Sequence, residues 1–320
     1  MIKLLLMYGD ESPSLSHIER LKGIGKDVCV VVADSEDVAI QHAKDTDAII
    51  GHRYLRQTLS HTTQRLKWVQ STAAGPHHLL SPELRRINPV LTRCTVFSDI
   101  VAWHAFTLAL AVIRRIPEAN QMQQQGAWAH PSCFNLLSFP KTAMILGVGC
   151  IGKELASILR SNRMTVLGVT REYSLAAESA CDELLCGDID WRDHLQRVDL
   201  CFITLPLTKT TTHLFDETVL QTLPQHAVVI NVGRGGVVDT GALIKLLREG
   251  HLGGAALDVV DPVPLPNDPI WHTPRLLITP KIAAFHPEYR KKLELFIENQ
   301  VERYLNNETL LDIITINNLA

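Results

Sequence analysis

Apolar residues in this chain come in short runs separated by longer polar, helix-compatible stretches, which is the rhythm of a parallel α/β sheet. Ile2–Tyr8, Val28–Val32, Ala48–Ile50 and Trp68–Gln70 predict the strands of a first sheet. A second alternation begins at Thr142 and runs through Val166–Val169, Leu200–Thr204, Ala227–Asn231, Gly254–Leu257 and Leu276–Thr279. The pattern therefore predicts two α/β units, and it contains no short-period repeat and no low-complexity segment. A long helix is expected from about Ser98 to Ile113, between the two alternations, and another over Pro287–Tyr304 after the last strand. If the C-terminal helix returns to the first unit, that unit is discontinuous. It would comprise residues 1–98 and 286–320 as a substrate domain, with residues 99–285 inserted as a nucleotide domain.

The second alternation opens on a specific signal. Ala143–Leu146 reads as a strand, Gly147-Val-Gly149-Cys150-Ile151-Gly152 follows, and Ile151, Leu155, Ile158 and Leu159 then recur at helical spacing. This is G-x-G-x-x-G in the strand–turn–helix setting of a dinucleotide pyrophosphate site. Gly147 would make the tight turn, Gly149 would let the backbone approach the phosphates, and Gly152 would let the helix pack close to the strand. The helix N-terminus, with Cys150 and Ile151, would supply N–H donors and positive potential. After the next strand the chain reads Val169-Thr170-Arg171, where NAD-binding proteins normally carry an acidic residue for the adenosine ribose. The guanidinium of Arg171 matches a 2′-phosphate, so NADP(H) is preferred and NAD(H) remains possible. The plainer alternative is that Arg171 is a solvated loop cation.

Composition narrows the class. A net charge of -3 over 320 residues argues against nucleic acid as a partner, and 46% hydrophobic residues is ordinary for a soluble enzyme. The seven cysteines are odd in number and scattered, with no C-x-x-C, so neither a disulfide framework nor a metal site is expected. They read as reduced intracellular thiols. The apolar N-terminal run is too short for a signal peptide, and Ile100–Ile113, which contains His104, falls short of a membrane span. No membrane association is expected, and the cytoplasm is the default location. The long apolar helix suggests a homodimer, or else intramolecular core.

With these motifs in order, the chain resembles the D-isomer-specific 2-hydroxyacid dehydrogenase family, and most closely its glyoxylate/hydroxypyruvate reductase branch. Trp68-Val-Gln-Ser-Thr-Ala73-Ala74-Gly75 is similar to the family's substrate loop, whose backbone N–H groups bind the substrate carboxylate. Leu205-Pro206-Leu-Thr208 resembles the loop that packs against the cofactor. Asn231-Val232-Gly233-Arg234 resembles the segment bearing the catalytic arginine, and Ala256-Leu-Asp258-Val the strand whose aspartate lies near the nicotinamide. The resemblance implies two Rossmann-like domains with doubly wound parallel sheets. It also implies a homodimer and reduction of a small 2-keto acid such as glyoxylate or hydroxypyruvate to the D-2-hydroxy acid. Arg234 would grip carboxylate and carbonyl oxygen together; a structural arginine in a glycine turn is the other reading.

The chain departs from that family at its acid. The family's proton donor is a histidine in Thr-Pro-His, supported by a glutamate; here the sequence is Thr279-Pro280-Lys281, and Val263 stands where the glutamate would fall. In one reading Lys281 replaces the pair, because an ammonium with a reference pKa of ~10.4, against ~6.5 for imidazole, needs no carboxylate to stay protonated. Desolvation and Arg234 would lower that value toward neutrality. In the other reading the dyad decayed as a unit and the chain is an NADP(H)-binding sensor or regulator with weak or no turnover. Asp261, His286, His104 and the His77-His78 pair are further candidates for the missing acid, with structural roles favoured for His104 and His286. Trp103 and Trp271 read as packing residues, although Trp271 could reach the mouth of the site.

Overall fold

The structure, a computed structural model, describes residues 1–9, 12–75, 79–187 and 189–314. The chain divides into two compact units, Met1–Phe97 with His286–Ala320, and Ser98–Phe285. Ser98, placed at the end of the first segment by the sequence pattern, instead begins the helix that opens the second unit.

The first unit is built on β1 (Ile2–Met7), β2 (Val28–Val32), β3 (Ala48–Gly51), β4 (Trp68–Gln70) and β5 (Val90–Thr92), closed by β13 (Ile313–Ile314). Their order is β13-β5-β4-β3-β1-β2, parallel except for the β13–β5 pair. β1 is Ile-Lys-Leu-Leu-Leu-Met, and Leu4, Leu5, Leu6 and Met7 are wholly buried, as expected of a central strand covered on both faces. β5 and β13 escaped the pattern because each is only two or three residues long and each has an exposed first residue.

The second unit holds β6 (Thr142–Leu146), β7 (Thr165–Thr170), β8 (Glu183–Cys186), β9 (Leu200–Ile203), β10 (Val228–Asn231), β11 (Gly254–Leu257) and β12 (Leu276–Ile278). All are parallel, in the order β12-β11-β10-β9-β6-β7-β8. The chain winds one way from β6 to β8, then returns past β6 and winds the other way from β9 to β12. The switch point therefore lies between β6 and β9, where open α/β sheets bind ligands beyond the carboxyl ends of the strands.

The helix Ser98–Ile113 is nearly apolar all round and belongs wholly to this unit. It packs along the helix Cys150–Ser161 and over β10 and β11, burying Val101, Ala102, Ala105, Phe106, Leu108, Ala109, Val112 and Ile113. Intramolecular core therefore accounts for most of the apolar length that suggested a dimer. Exposed apolar groups of this unit include Trp103, on the outer face of the helix, and Trp128 and Phe139 in the segment beyond it. No single helix among the described residues is long and apolar enough to cross a membrane.

Candidate functional site

The glycine turn after β6 has the geometry a phosphate cradle needs. Gly147 has φ +101°, a left-handed value that a side chain would resist, and a Cβ there would lie 2.9 Å from Thr204 Oγ1. A Cβ on Gly152 would lie 2.2 Å from the Gly147 carbonyl oxygen, so the helix can approach the turn only without one. At Gly149, by contrast, a Cβ would meet nothing within 4 Å, because that face of the turn opens outward. Gly149 caps the helix Cys150–Ser161 without a side-chain hydrogen bond, and the first helical turn carries no acidic residue. The positive end of the helix is thus uncompensated by its own side chains, which suits a pyrophosphate. Thr204, at the end of β9, donates its hydroxyl to Gly147 O at 2.7 Å and ties the turn to the neighbouring strand.

At the end of β7, Arg171 is largely exposed, and its guanidinium lies 3.7 Å from the carboxylate of Glu172, which is equally exposed. Thr170 donates its hydroxyl to the Glu172 carbonyl. Glu172 stands beside Arg171 and would repel a 2′-phosphate while Arg171 attracts it. An exposed pair of this kind is worth about 0–1 kcal/mol, so either group remains available to a ligand.

The loops after β9 and β10 meet closely. A Cβ on Gly233 would lie 2.6 Å from Leu205 O and 3.0 Å from Leu205 N, so a glycine is required where these two backbones touch. Val232 donates its N–H to Ile203 O, and Thr208 is held in a local turn by Thr211, whose hydroxyl donates to Pro206 O. Asn231, wholly buried, clamps the next turn: its Oδ1 accepts from Gly233 N and its Nδ2 donates to Arg234 O. Sequence reasoning passed over Asn231 because asparagine at a strand end is a common turn residue. Its wholly buried side chain marks it as the part that sets the direction of Arg234.

Arg234 is half-buried, with Nη1 donating to the Gly233 carbonyl, and it makes no ion pair with any described residue. Burial pushes its pKa down, and a guanidinium stays charged even so. A partly desolvated cation without a carboxylate partner among the described residues is a natural site for an anionic ligand.

Asp258 follows the end of β11 and is held by a cluster of donors. Its carboxylate is 3% exposed and accepts from Thr279 Oγ1 at 2.6 Å, Ile282 N at 2.9 Å and Ala283 N at 3.1 Å. His104 Nε2, from the helix Ser98–Ile113, lies 3.4 Å from the same carboxylate and 3.2 Å from Thr279 Oγ1. Burial pushes the Asp258 carboxyl up. The hydrogen bonds from His104, Thr279, Ala283 and Ile282 outweigh it, and the net pKa is lowered.

That carboxylate holds the turn carrying Lys281. Lys281 N donates to Asp258 O and to Thr279 O, and the residue adopts φ +55°. Its side chain is exposed, so the desolvation expected around it is not provided by this chain. Val263 is also exposed and brings no acid to the site. Asp261 is directed elsewhere: its Oδ2 would lie 2.8 Å from a Cβ on Gly236, and its carbonyl accepts from Thr240. Trp271 donates its indole N–H to Leu265 O and remains half-exposed, and His286 Nδ1 accepts from Glu288 N. His77 and His78 lie outside the described residues.

In the first unit, Ser71 is buried beneath the loop Ala73–Gly75. The Ala73 N–H is donated to Ser71 Oγ at 3.1 Å, and the Ala73 carbonyl accepts from Cys94 N. A carboxylate at this loop would have to displace Ser71 to use Ala73, whereas Ala74 is exposed. No cluster of three metal-ligating side chains occurs among the described residues.

Comparison with known proteins converges with this geometry. Residues 106–283 match the family described as D-isomer specific 2-hydroxyacid dehydrogenase, NAD binding domain. The chain is 32% identical to a glyoxylate reductase of Thermofilum pendens, with 86% of each chain covered. A D-isomer specific 2-hydroxyacid dehydrogenase family protein of Aeromonas salmonicida superposes with a TM-score of 0.76 at 28% identity, covering 98% of this chain and 99% of that one. A D-isomer specific 2-hydroxyacid dehydrogenase of Xanthobacter autotrophicus, solved with NADPH and MES, gives a TM-score of 0.80 at 23% identity over 99% of both chains. At that identity the likeness speaks for the fold.

Proposed function

Because the chain belongs to the D-isomer-specific 2-hydroxyacid dehydrogenase family, an oxidoreductase family acting on CH–OH donors, we propose that it reduces small 2-keto acids to D-2-hydroxy acids with NAD(P)H. Glyoxylate and hydroxypyruvate are the substrates we favour; the glyoxylate reductases among its relatives support the first. The single observation that carries the reading is the half-buried Arg234, which Asn231 directs and which no described carboxylate neutralises.

The turn Gly147–Gly152 fits a dinucleotide pyrophosphate, with the open face at Gly149 and the uncapped helix end as its seat. A bound nicotinamide supplies the hydride that the reaction needs. Arg234 binds the substrate carboxylate and polarises the keto oxygen through its forked N–H donors. As the carbonyl carbon gains the hydride, the oxygen becomes an alkoxide, and Lys281 delivers the proton that completes the alcohol. An exposed ammonium recovers that proton from water, so reduction needs no supporting carboxylate.

NADP(H) is the preferred carrier in this proposal, through Arg171, and Glu172 makes the preference shallow. We further propose a homodimer, supported by Trp103, Trp128 and Phe139 exposed in one unit, and a cytoplasmic location, supported by the free state of the six described cysteines. A second reading, a dinucleotide-binding sensor without turnover, is favoured by one observation: neither Lys281 nor Val263 reproduces the buried acid of the resemblance.

The test is the decay of NADPH absorbance, with NADH alongside, against glyoxylate, hydroxypyruvate and pyruvate. Rapid oxidation with any of these that falls about 10²–10⁴-fold in Lys281→Ala, with NADPH affinity unchanged, supports the reductase and its acid. Silence across the panel despite tight NADPH binding favours the sensor.

A further inference from the structure

A lysine in the left-handed region costs roughly 1–3 kcal/mol, and such a conformation persists only where the surroundings over-determine it. At Lys281, with φ +55°, the backbone N–H is shared between the Asp258 and Thr279 carbonyls, and Asp258 makes most of the remaining bonds to the turn. The Asp258 carbonyl accepts Lys281 N, while its carboxylate accepts Ile282 N, Ala283 N and the Thr279 hydroxyl. Thr279, Lys281, Ile282 and Ala283 are thus each tied to Asp258.

The direction of one further bond follows by counting hydrogens. Thr279 has a single hydroxyl hydrogen, and its 2.6 Å bond to Asp258 Oδ1 takes it, because an ionised carboxylate can only accept. Toward His104, both the Thr279 oxygen and the Asp258 carboxylate are therefore acceptors. The ring nitrogen facing them, Nε2 at 3.2 Å and 3.4 Å, must carry the hydrogen. This places a hydrogen on Nε2 of His104 and makes it the fourth donor to the cluster, from a helix remote in sequence from the turn. The helix itself is anchored in the core on either side of His104 by Ala102, Ala105 and Phe106. A donor on a rigid support thus fixes the carboxylate that fixes the turn.

We propose that His104 is a positioning residue for Lys281: through Asp258 and Thr279 it holds the 279–283 turn in the left-handed conformation that aims the lysine. The proposal rests on the reading of Lys281 as the proton donor. Its requirement is a donor at the Nε2 position; a titrating ring is not needed. Glutamine, whose amide nitrogen can occupy that place, should therefore substitute, and leucine should not.

The experiment measures two quantities on the full chain. The first is steady-state reduction of glyoxylate by NADPH in His104→Leu and His104→Gln. Leucine should lower kcat about 10–100-fold, because misplacing a reacting group by about 1 Å costs up to ~10²-fold. KM for glyoxylate should stay within about twofold, and glutamine should restore most of the loss. The second is amide hydrogen exchange of Ile282 and Ala283, which donate to Asp258; it should accelerate in His104→Leu and recover in His104→Gln. Thr279→Val, which removes the hydroxyl without changing shape, should reproduce the leucine result if His104→Leu does not fold.

Unchanged kcat with unchanged exchange in the leucine variant overturns the proposal, as does glutamine being as poor as leucine. If the native chain oxidises no NADPH with any 2-keto acid, the reductase reading fails. The exchange measurement still decides whether His104 holds the turn.

Discussion

Gly152→Ala and Gly149→Ala add the same methyl group to the same turn and should behave differently. At Gly152 the new Cβ would lie 2.2 Å from the Gly147 carbonyl oxygen and 3.1 Å from its carbon. An ordinary contact of this kind is about 3.5 Å, so the helix Cys150–Ser161 must retreat by roughly 1 Å or the turn must deform. Both partners are backbone, leaving no flexible side chain to give way. Overpacking of this order costs about 1–3 kcal/mol. For a unit of this size that corresponds to a fall in Tm of about 2–4 °C for each kcal/mol. In the proposed site the displaced N–H groups would also be the pyrophosphate donors, so NADPH affinity should fall roughly 5–150-fold if the same strain opposes the bound geometry.

At Gly149 the Cβ meets nothing within 4 Å, so the Tm loss should be smaller than at Gly152 and limited to the cost of alanine at an N-cap, about 0.5–1 kcal/mol. The methyl group occupies the open face that the phosphates would use, and affinity should fall. Thermal melts of the ligand-free protein and fluorescence titrations with NADPH separate the two effects. Equal Tm and equal affinity, within twofold, in Gly152→Ala would refute the assignment of this turn. A Tm loss in Gly149→Ala matching that of Gly152→Ala would refute the account of the open face.

If Arg234 grips the substrate as proposed, Arg234→Ala should lower kcat/KM for glyoxylate about 10–150-fold, with NADPH affinity unaltered; steady-state kinetics and titration decide it. Asp258→Asn keeps the shape but turns one of the two acceptor oxygens into a donor, which faces the Ala283 N–H if the amide oxygen takes the Oδ1 place used by Thr279 and Ile282; this should cost about 1–3 kcal/mol in a urea melt. Because the folded pKa of Asp258 is depressed, its contribution is present above the ordinary carboxylate range and is lost as pH falls through the depressed value, so the native chain should lose more stability in acid than Asp258→Asn does. At alkaline pH the sign reverses. Burial pushes the Cys94 thiol up to about 12 and the Cys181 thiol up to about 11, so the unfolded chain loses these protons first and Tm should fall as pH rises from about 9. Replacing Cys181 by alanine should flatten part of that fall.

The strand–turn–helix over residues 142–161, the two alternations of strands and the apolar helix Ser98–Ile113 were legible in the sequence because each is governed by local rules. A buried parallel strand needs a continuous apolar run, a helix repeats every three to four residues, and a backbone at φ +101° selects glycine. The same locality made Arg234 and Lys281 recognisable from the short motifs around them. Tertiary structure decided what depends on residues distant in sequence. His104 reaches Asp258 only because the helix Ser98–Ile113 lies over β10 and β11, and Asp258 grips Lys281 only because β12 pairs beside β11. Likewise Asp261 turns to Gly236, and Ile313–Ile314 closes the first sheet against β5. Such contacts are selected by register and packing over the whole unit, and no spacing along the chain carries them.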